Sequence, residues 1–513
     1  MKDEAILVLR ADNVFPADGT APFRGFVAIQ GSDIAAVGTD DAIQPWLDQA
    51  QRVIELGDKV ITPGYCDVHT FFSGWVLRSL GIDFADVHTI SEGIAALQDY
   101  AKKREGKPLF GHNLNPEFPK ADVEELNQAF PHTPVVIFTF DRDTCWMNEA
   151  ARQAYEFTPE ACYAEKIVKM MAEYLKEPEM EEKYIAYMQM LNERGVTSIK
   201  EMTFDTYYGF MDVMEKLEQE KKLTVRVDMM SQPVAEGINI PHGLAMRERF
   251  QSEFLHFSGY NRMTDRGIPS SLAELIEPYK SHPGVTCTVP VEWDLIEKET
   301  LEADRNGFRY SLHAQGDGAV RHCVELFNRC EKVDGKLKNR HAITDLEYSN
   351  PEDLKKFGKI GGITEIYSQI QSLDNKQDVL DMIDQQLGME RSVNYWNRRI
   401  MWDSGITVSC GTDLPLLIPD IPEGIFCGCG GYFKDGLSFN EGNMLKVEEM
   451  LTAWTYNGQI NCGRDAYVGT LSAGKRADIA VLDQNVFTKP LKDMRDVKVC
   501  LTISDGRIVY EAE

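Results

Sequence analysis

The chain has 513 residues, 43% of them hydrophobic and 26% charged, a balance that supports a buried core and excludes disorder as the default state. With 81 acidic against 54 basic residues it carries a net charge of −27, so phosphate backbones and anionic lipid are repelled, and neither nucleic acid nor membrane is an expected partner. Eleven cysteines without framework spacing fit a reducing cytosol, and residues 5–9 are too short an apolar run for a signal-peptide core, so a cytoplasmic location is expected.

Residues 5–10, 25–30, 33–37 and 52–55 read as short extended runs separated by turn signals such as Gly31-Ser32-Asp33. Through the long middle of the chain, strand signals alternate with helical ones. Buried strands are expected at 60–65, 135–140, 196–199, 223–228, 308–313, 361–367 and 406–409, with helical spacing between many of them, as at 181–194 and 319–330. A helical insertion, placed to act as a lid, is expected near 80–190. This alternation favours a parallel α/β fold, either barrel or doubly wound. No Gly-x-Gly-x-x-Gly follows a strand and no P-loop motif occurs, which removes the usual support for nucleotide binding. Near the C-terminus, 477–482, 497–504 and 507–510 are again short and β-rich, and Asp505-Gly506 reads as a hairpin turn. Two β-rich ends around a mixed middle predict one small β domain built from both termini.

Several expected strands end in a residue able to bind metal or move a proton: His69, the pair Lys200-Glu201, His313, Asp345 and Asp413. In a barrel the C-terminal rim gathers such strand ends around one point, and imidazole with carboxylate suits zinc and similar divalent ions. Taken singly, each is more often a cap or a core hydrogen-bonding group. Cys66 and Cys410 flank supposed ligands and are read as inert packing.

The run Val60-Ile61-Thr62-Pro63-Gly64-Tyr65-Cys66-Asp67-Val68-His69 resembles the "Pro-Gly-hydrophobic-x-Asp-x-His" opening of the amidohydrolase superfamily. Gly469-Thr470-Leu471-Ser472-Ala473-Gly474-Lys475-Arg476-Ala477-Asp478 resembles that superfamily's return into its small β domain. Ser311-Leu312-His313-Ala314-Gln315-Gly316-Asp317 and Gly411-Thr412-Asp413-Leu414-Pro415 resemble strand ends of the long-chain branch that includes N-substituted formamide deformylase. The resemblance runs in order along essentially the whole chain. It implies a (β/α)8 barrel of the TIM type over 61–463, a small β-sandwich from 1–60 plus 464–513, a dimer, and metal-dependent hydrolysis.

The departures from that pattern bear on the metal. The family opens with His-x-His, but the second position here is Phe71, which cannot ligate. The bridging carboxylated lysine of the branch has His256 at its loosely aligned place, with Lys200 as the alternative. Asp345 stands where the next strand carries histidine, and His341 lies four residues deeper. The set that remains is His69, His313 and Asp413, with His256 and Asp345 as replacements. Such a set suits one divalent ion with an open position: zinc, or alternatively iron or manganese.

The mechanism implied is attack by a metal-activated water on a small amide, cyclic amide or N-acyl compound. Asp413 would be general base and then acid, His313 would steady the oxyanion, and Asp345 or Glu201 would tune orientation. Phe71, Trp75, Tyr367 and Trp146 are candidate apolar walls, and Arg142 a candidate carboxylate clamp. A deaminase, a metal-free lyase or isomerase in the same pocket, and a non-catalytic ligand-binding barrel remain the other readings.

Overall fold

A computed structural model describes residues 6–104, 106–162, 166–203, 211–233 and 237–512. Its centre is a sheet of eight strands, all parallel: β1 (Tyr65–Thr70), β2 (Val196–Met202), β3 (Arg226–Ser231), β4 (Leu255–Met263), β5 (Arg309–Ala314), β6 (Ala342–Asp345), β7 (Ile363–Ile366) and β8 (Thr407–Cys410). They follow one another in chain order, and a parallel bridge between Thr70 and Leu414 nearly closes β8 back onto β1. The sheet is therefore an almost closed TIM-type barrel rather than a doubly wound sheet. Its strands read as they do because both faces are covered: every residue of β2 and of β3 is buried, so neither shows the polar alternation of a half-exposed strand. Helices such as Trp293–Arg305, Asp317–Phe327 and Pro351–Lys359 carry the chain between successive strands.

The two ends of the chain share a second, eight-stranded sheet. Its order is Arg507–Glu511, Val499–Ser504, Ile479–Leu482, Val60–Pro63, Ile6–Val14, Phe23–Gln30, Asp33–Thr39, with Arg52–Glu55 also pairing to Ile6–Val14. Asp505 and Gly506 form the two-residue hairpin turn, both at positive φ (51° and 74°), as the right-handed twist of the flanking strands demands. One face of this sheet buries Leu9, Val27, Ile29, Ile61, Ile479 and Val481 in a shared core. Arg226, at the start of β3, is fully buried and donates to Asp478 (2.8 and 3.1 Å) and Asp505 (3.0 Å), tying the barrel to the C-terminal strands. Arg226→Lys keeps the charge but loses the two-pronged contact, so urea unfolding is expected to show a loss of about 1–3 kcal/mol.

The described residues divide into two compact units, one within Met1–Thr70, Ile185–Thr203 and Met214–Glu513, the other within Phe71–Tyr184 and Phe204–Val213. The second corrects the expectation of a helical insertion. Alongside helices such as Ile90–Ala101, which opens with a capping box between Thr89 and Glu92, it holds a four-stranded sheet. That sheet comprises Ile82–Asp83, Leu109–Leu114, Val135–Thr139 and Cys145–Met147. The strand expected at 135–140 thus belongs here and not to the barrel. Among the described residues no helix is long and apolar enough to cross a membrane.

Candidate active site

The C-terminal rim of the barrel carries His69 and His313, each set between two carboxylates. His69 ends β1 with Thr70. Its Nε2 lies 3.7 Å from Asp413 Oδ1 and its Nδ1 lies 3.4 Å from Glu365 Oε2. His313 is near the end of β5. Its Nε2 lies 3.0 Å from Asp345 Oδ2, and its Nδ1, which has no hydrogen-bond partner among the described residues, lies 3.6 Å from Asp265 Oδ1.

Local sequence fixes both lines. Asp67 is buried and accepts hydrogen bonds from the Thr412 amide (3.1 Å), the Thr412 hydroxyl and the His69 amide (3.2 Å), binding the end of β1 to the loop after β8. Gly411 is needed there, since a Cβ on it would stand 2.8 Å from that of His69. Asp265 is pinned by the amides of Glu274, Gln315 and Gly316, each at 2.9 Å. Asp345 and Asp413 both take left-handed backbone (φ 78° and 51°), a cost that residues at working sites commonly carry.

Charge is crowded at the rim. Burial opposes ionisation of His313, but Asp345, Asp265 and Asp413 outweigh it and push the imidazole up to about 9. Burial, with the charge of Asp345 added, holds the Asp413 carboxyl above its usual range. Tyr367, at the end of β7, meets the His69 ring edge-on with centroids 5.8 Å apart.

Beneath His69 the barrel interior is polar, where most barrels stack aliphatic layers. The ammonium of Lys200 bonds Glu365 and Asn461 Oδ1 (2.7 Å). Glu365 Oε1 also accepts from Ser311 (3.0 Å) and the Asn461 amide (3.2 Å), and Arg309 lies 3.5 Å away. Despite full burial, Lys200, His69 and Arg309 keep Glu365 ionised, well below the usual carboxylate range. Sequence reading missed Glu365, Asp265, Arg309 and Asn461. The available signal was a lone glutamate inside the apolar strand Ile363–Ile366.

Of the residues expected at the site, His69, His313, Asp345, Asp413 and Tyr367 gather at the rim. Three stand apart from them. His256 is the second residue of β4, at the opposite end of its strand, where its Nε2 meets Asp228 at 2.7 Å. Lys200 points into the barrel interior, where it meets Glu365 and Asn461, and burial with the nearby Arg309 charge pulls its amine below the usual range. Glu201, next to last in β2, accepts from Thr70 Oγ1 (2.7 Å) and so stands at the rim but on the other face of β2 from Lys200. Phe71, Trp75 and Arg142 belong to the second unit, as does Trp146, which is buried in that unit's own core with Phe84 and Phe118. His256→Asn is expected to leave metal content and turnover as they are while costing about 1–3 kcal/mol on thermal unfolding, because Asp228 loses its partner.

The sequence profile of the amidohydrolase family matches residues 52–510. The chain belongs to that family. Relatives include the protein LONG AFTER FAR-RED 3 of Arabidopsis thaliana, 20% identical over 99% of this chain and 92% of that protein. The N-substituted formamide deformylase of Arthrobacter pascens is also 20% identical, over 99% of this chain and 98% of its own. Among solved structures, an uncharacterized metal-dependent hydrolase from Pyrococcus horikoshii superposes with a TM-score of 0.72 at 18% identity, covering 95% of this chain and 99% of that one. Family membership supports hydrolase activity and implies a divalent metal.

The rim residues fit such an ion. Both imidazoles turn Nε2 toward a rim aspartate and Nδ1 toward a carboxylate behind, the pattern that orients metal-bound histidine. The 3.7 Å between His69 Nε2 and Asp413 Oδ1 is near the ~3.4 Å that separates two ligands about 2.1 Å from one tetrahedral ion. The donors stand as two pairs, His69–Asp413 and His313–Asp345, and not as one convergent triad. Among the described residues, the one group of three donors lying within 4.8 Å of one another is Asp304, Cys330 and His341. That group is already internally bonded: His341 joins Asp304 (2.9 Å) and accepts from the Tyr310 amide (3.0 Å).

Proposed function

We propose that this protein is a single-metal amidohydrolase that cleaves a carbon–nitrogen bond of a small amide, cyclic amide or N-acyl compound. The observation that carries the reading is the pair of rim histidines, each backed by a carboxylate and faced by an aspartate. The formamide deformylase relative supports the choice of bond. A divalent ion, zinc in preference to iron or manganese, would be held by His69 and Asp413, whose donor atoms lie 3.7 Å apart, and would supply Lewis acidity and a readily deprotonated water. Asp413, partly open at the rim, takes the proton from the attacking water and returns it to the leaving nitrogen. His313, kept in place by Asp345 and Asp265, donates to the oxygen on which negative charge develops. Glu365 fixes the ring of His69 from below, and the Tyr367 ring fills the space beside it. A cytoplasmic homodimer is the form in which we expect the protein.

Elemental analysis of the protein, purified without chelators, is expected to find about one equivalent of zinc, iron or manganese per chain, falling sharply in Asp413→Ala. Absence of metal together with turnover of an amide would overturn the metal reading. It would instead favour a metal-free proton-transfer reaction on His313 and Asp345, whose direct 3.0 Å contact already makes an acid–base pair.

A further inference from the structure

At the N-terminal end of the barrel, opposite the rim, lies an open cavity of about 770 Å³. Its walls are the starts of β4 and β5, the helix Ile240–Arg249, and residues 338–340 and 461–463. The charges lining it run against the rest of the molecule. Arg247, Arg309, Lys338 and Arg340 face a single acid, Glu248, in a chain whose net charge is −27.

Two of these cations are already paired, Lys338 with Glu331 (3.0 Å) and Arg340 with Asp465 (2.6 Å). The other two keep donors to offer, although Arg309 also reaches Glu365 in the barrel interior at 3.5 Å. Arg247 lies 4.2 Å over the Phe308 ring and donates to the carbonyls of Asn306 (3.0 Å) and Gly307 (3.3 Å); among the described residues no carboxylate forms an ion pair with it. Arg309 is the first residue of β5. It is 4% exposed, held by Asn461, and among the described residues its Nε has no hydrogen-bond partner. A buried guanidinium N–H left unbonded is costly, and an oxyanion is the group that best satisfies it. Both forks are fixed in place by neighbours, so little side-chain entropy is lost when a ligand arrives.

We propose that this cavity is a second binding site, separate from the hydrolytic rim, for a small organic oxyanion whose carboxylate or phosphate is held by Arg247 and Arg309. The volume suits a molecule of metabolite size. The site lies apart from the rim: His313 is near the far end of the strand that Arg309 begins.

Titration calorimetry at fixed ionic strength, with inorganic phosphate in one arm and succinate in the other, tests this and tells which oxyanion is preferred. Saturable binding at millimolar concentration or tighter is expected for at least one probe. Arg247→Ala should weaken it by about tenfold or more. Leu244→Trp, which fills the cavity from an exposed wall position without touching a cation, should weaken it as well, guarding against a folding defect in the first variant. Asp413→Asn should bind as the wild type does, which separates this site from the rim. The proposal is overturned if neither probe binds, if Arg247→Ala and Leu244→Trp bind as tightly as wild type, or if Asp413→Asn abolishes binding.

Discussion

Asp413→Asn is expected to lower kcat by about a thousandfold while leaving the folded protein intact. The amide is nearly isosteric with the carboxylate, so the loop after β8 keeps its shape: its anchor is Asp67 with Thr412, not Asp413. What is lost is the one rim carboxylate that combines partial exposure with a place beside His69 Nε2. Asp345 cannot substitute, because its Oδ2 is shared between His313 (3.0 Å) and the Gln315 amide (3.1 Å). The measurement is a kcat and KM pair on whichever amide or N-acyl compound a substrate panel identifies, alongside the melting temperature. A fall in kcat with little change in KM marks a group acting on the reacting atoms. Turnover within a few-fold of wild type would remove Asp413 from the mechanism.

The parallel α/β alternation is legible in the sequence because parallel strands buried on both faces must be apolar throughout, and the periods of strand and helix differ enough to separate them; the choice of a barrel rests on the family resemblance. Where strands break that pattern, the reading slipped. β4 carries Ser258, Gly259 and Asn261 within Leu255–Met263 and lacks the apolar run of a buried strand, so no local pattern shows that His256 opens the strand rather than closes it. The ends of β1, β5, β6 and β8 were found because a polar residue terminating an apolar run is visible in one dimension. The carboxylates behind the histidines were not. Glu365 lies within its strand, and Asp265 lies in a loop between β4 and β5, so their contacts with His69 and His313 depend on barrel closure and loop path, which no local pattern encodes. The second unit's sheet was obscured for a related reason: Ile82–Asp83 and Cys145–Met147 are too short to announce themselves by periodicity.

The polar interior beneath His69 yields the second large effect. Glu365→Leu alone leaves the Lys200 ammonium and the Arg309 guanidinium facing one another without their shared anion, and Lys200→Met alone leaves Glu365 short of its closest cation. Each is expected to cost about 3–5 kcal/mol by urea unfolding, the usual result of stranding a buried charge. The double variant Lys200→Met with Glu365→Leu removes both charges and puts apolar side chains in a fully buried place. It should cost less than the sum of the singles, by about 2 kcal/mol or more, because neither charge is left stranded. Recovery should stop short of wild type, since Asn461 and Ser311 still lose their acceptor on Glu365 and the buried Arg309 guanidinium loses its anion. Stability and metal binding should then part company: the double variant regains fold but not the carboxylate behind His69 Nδ1, so its metal affinity is expected to stay about 10–100-fold weaker. Strict additivity of the two single costs would show that Lys200 and Glu365 act independently. Full metal affinity in the double variant would show that Glu365 does not orient His69.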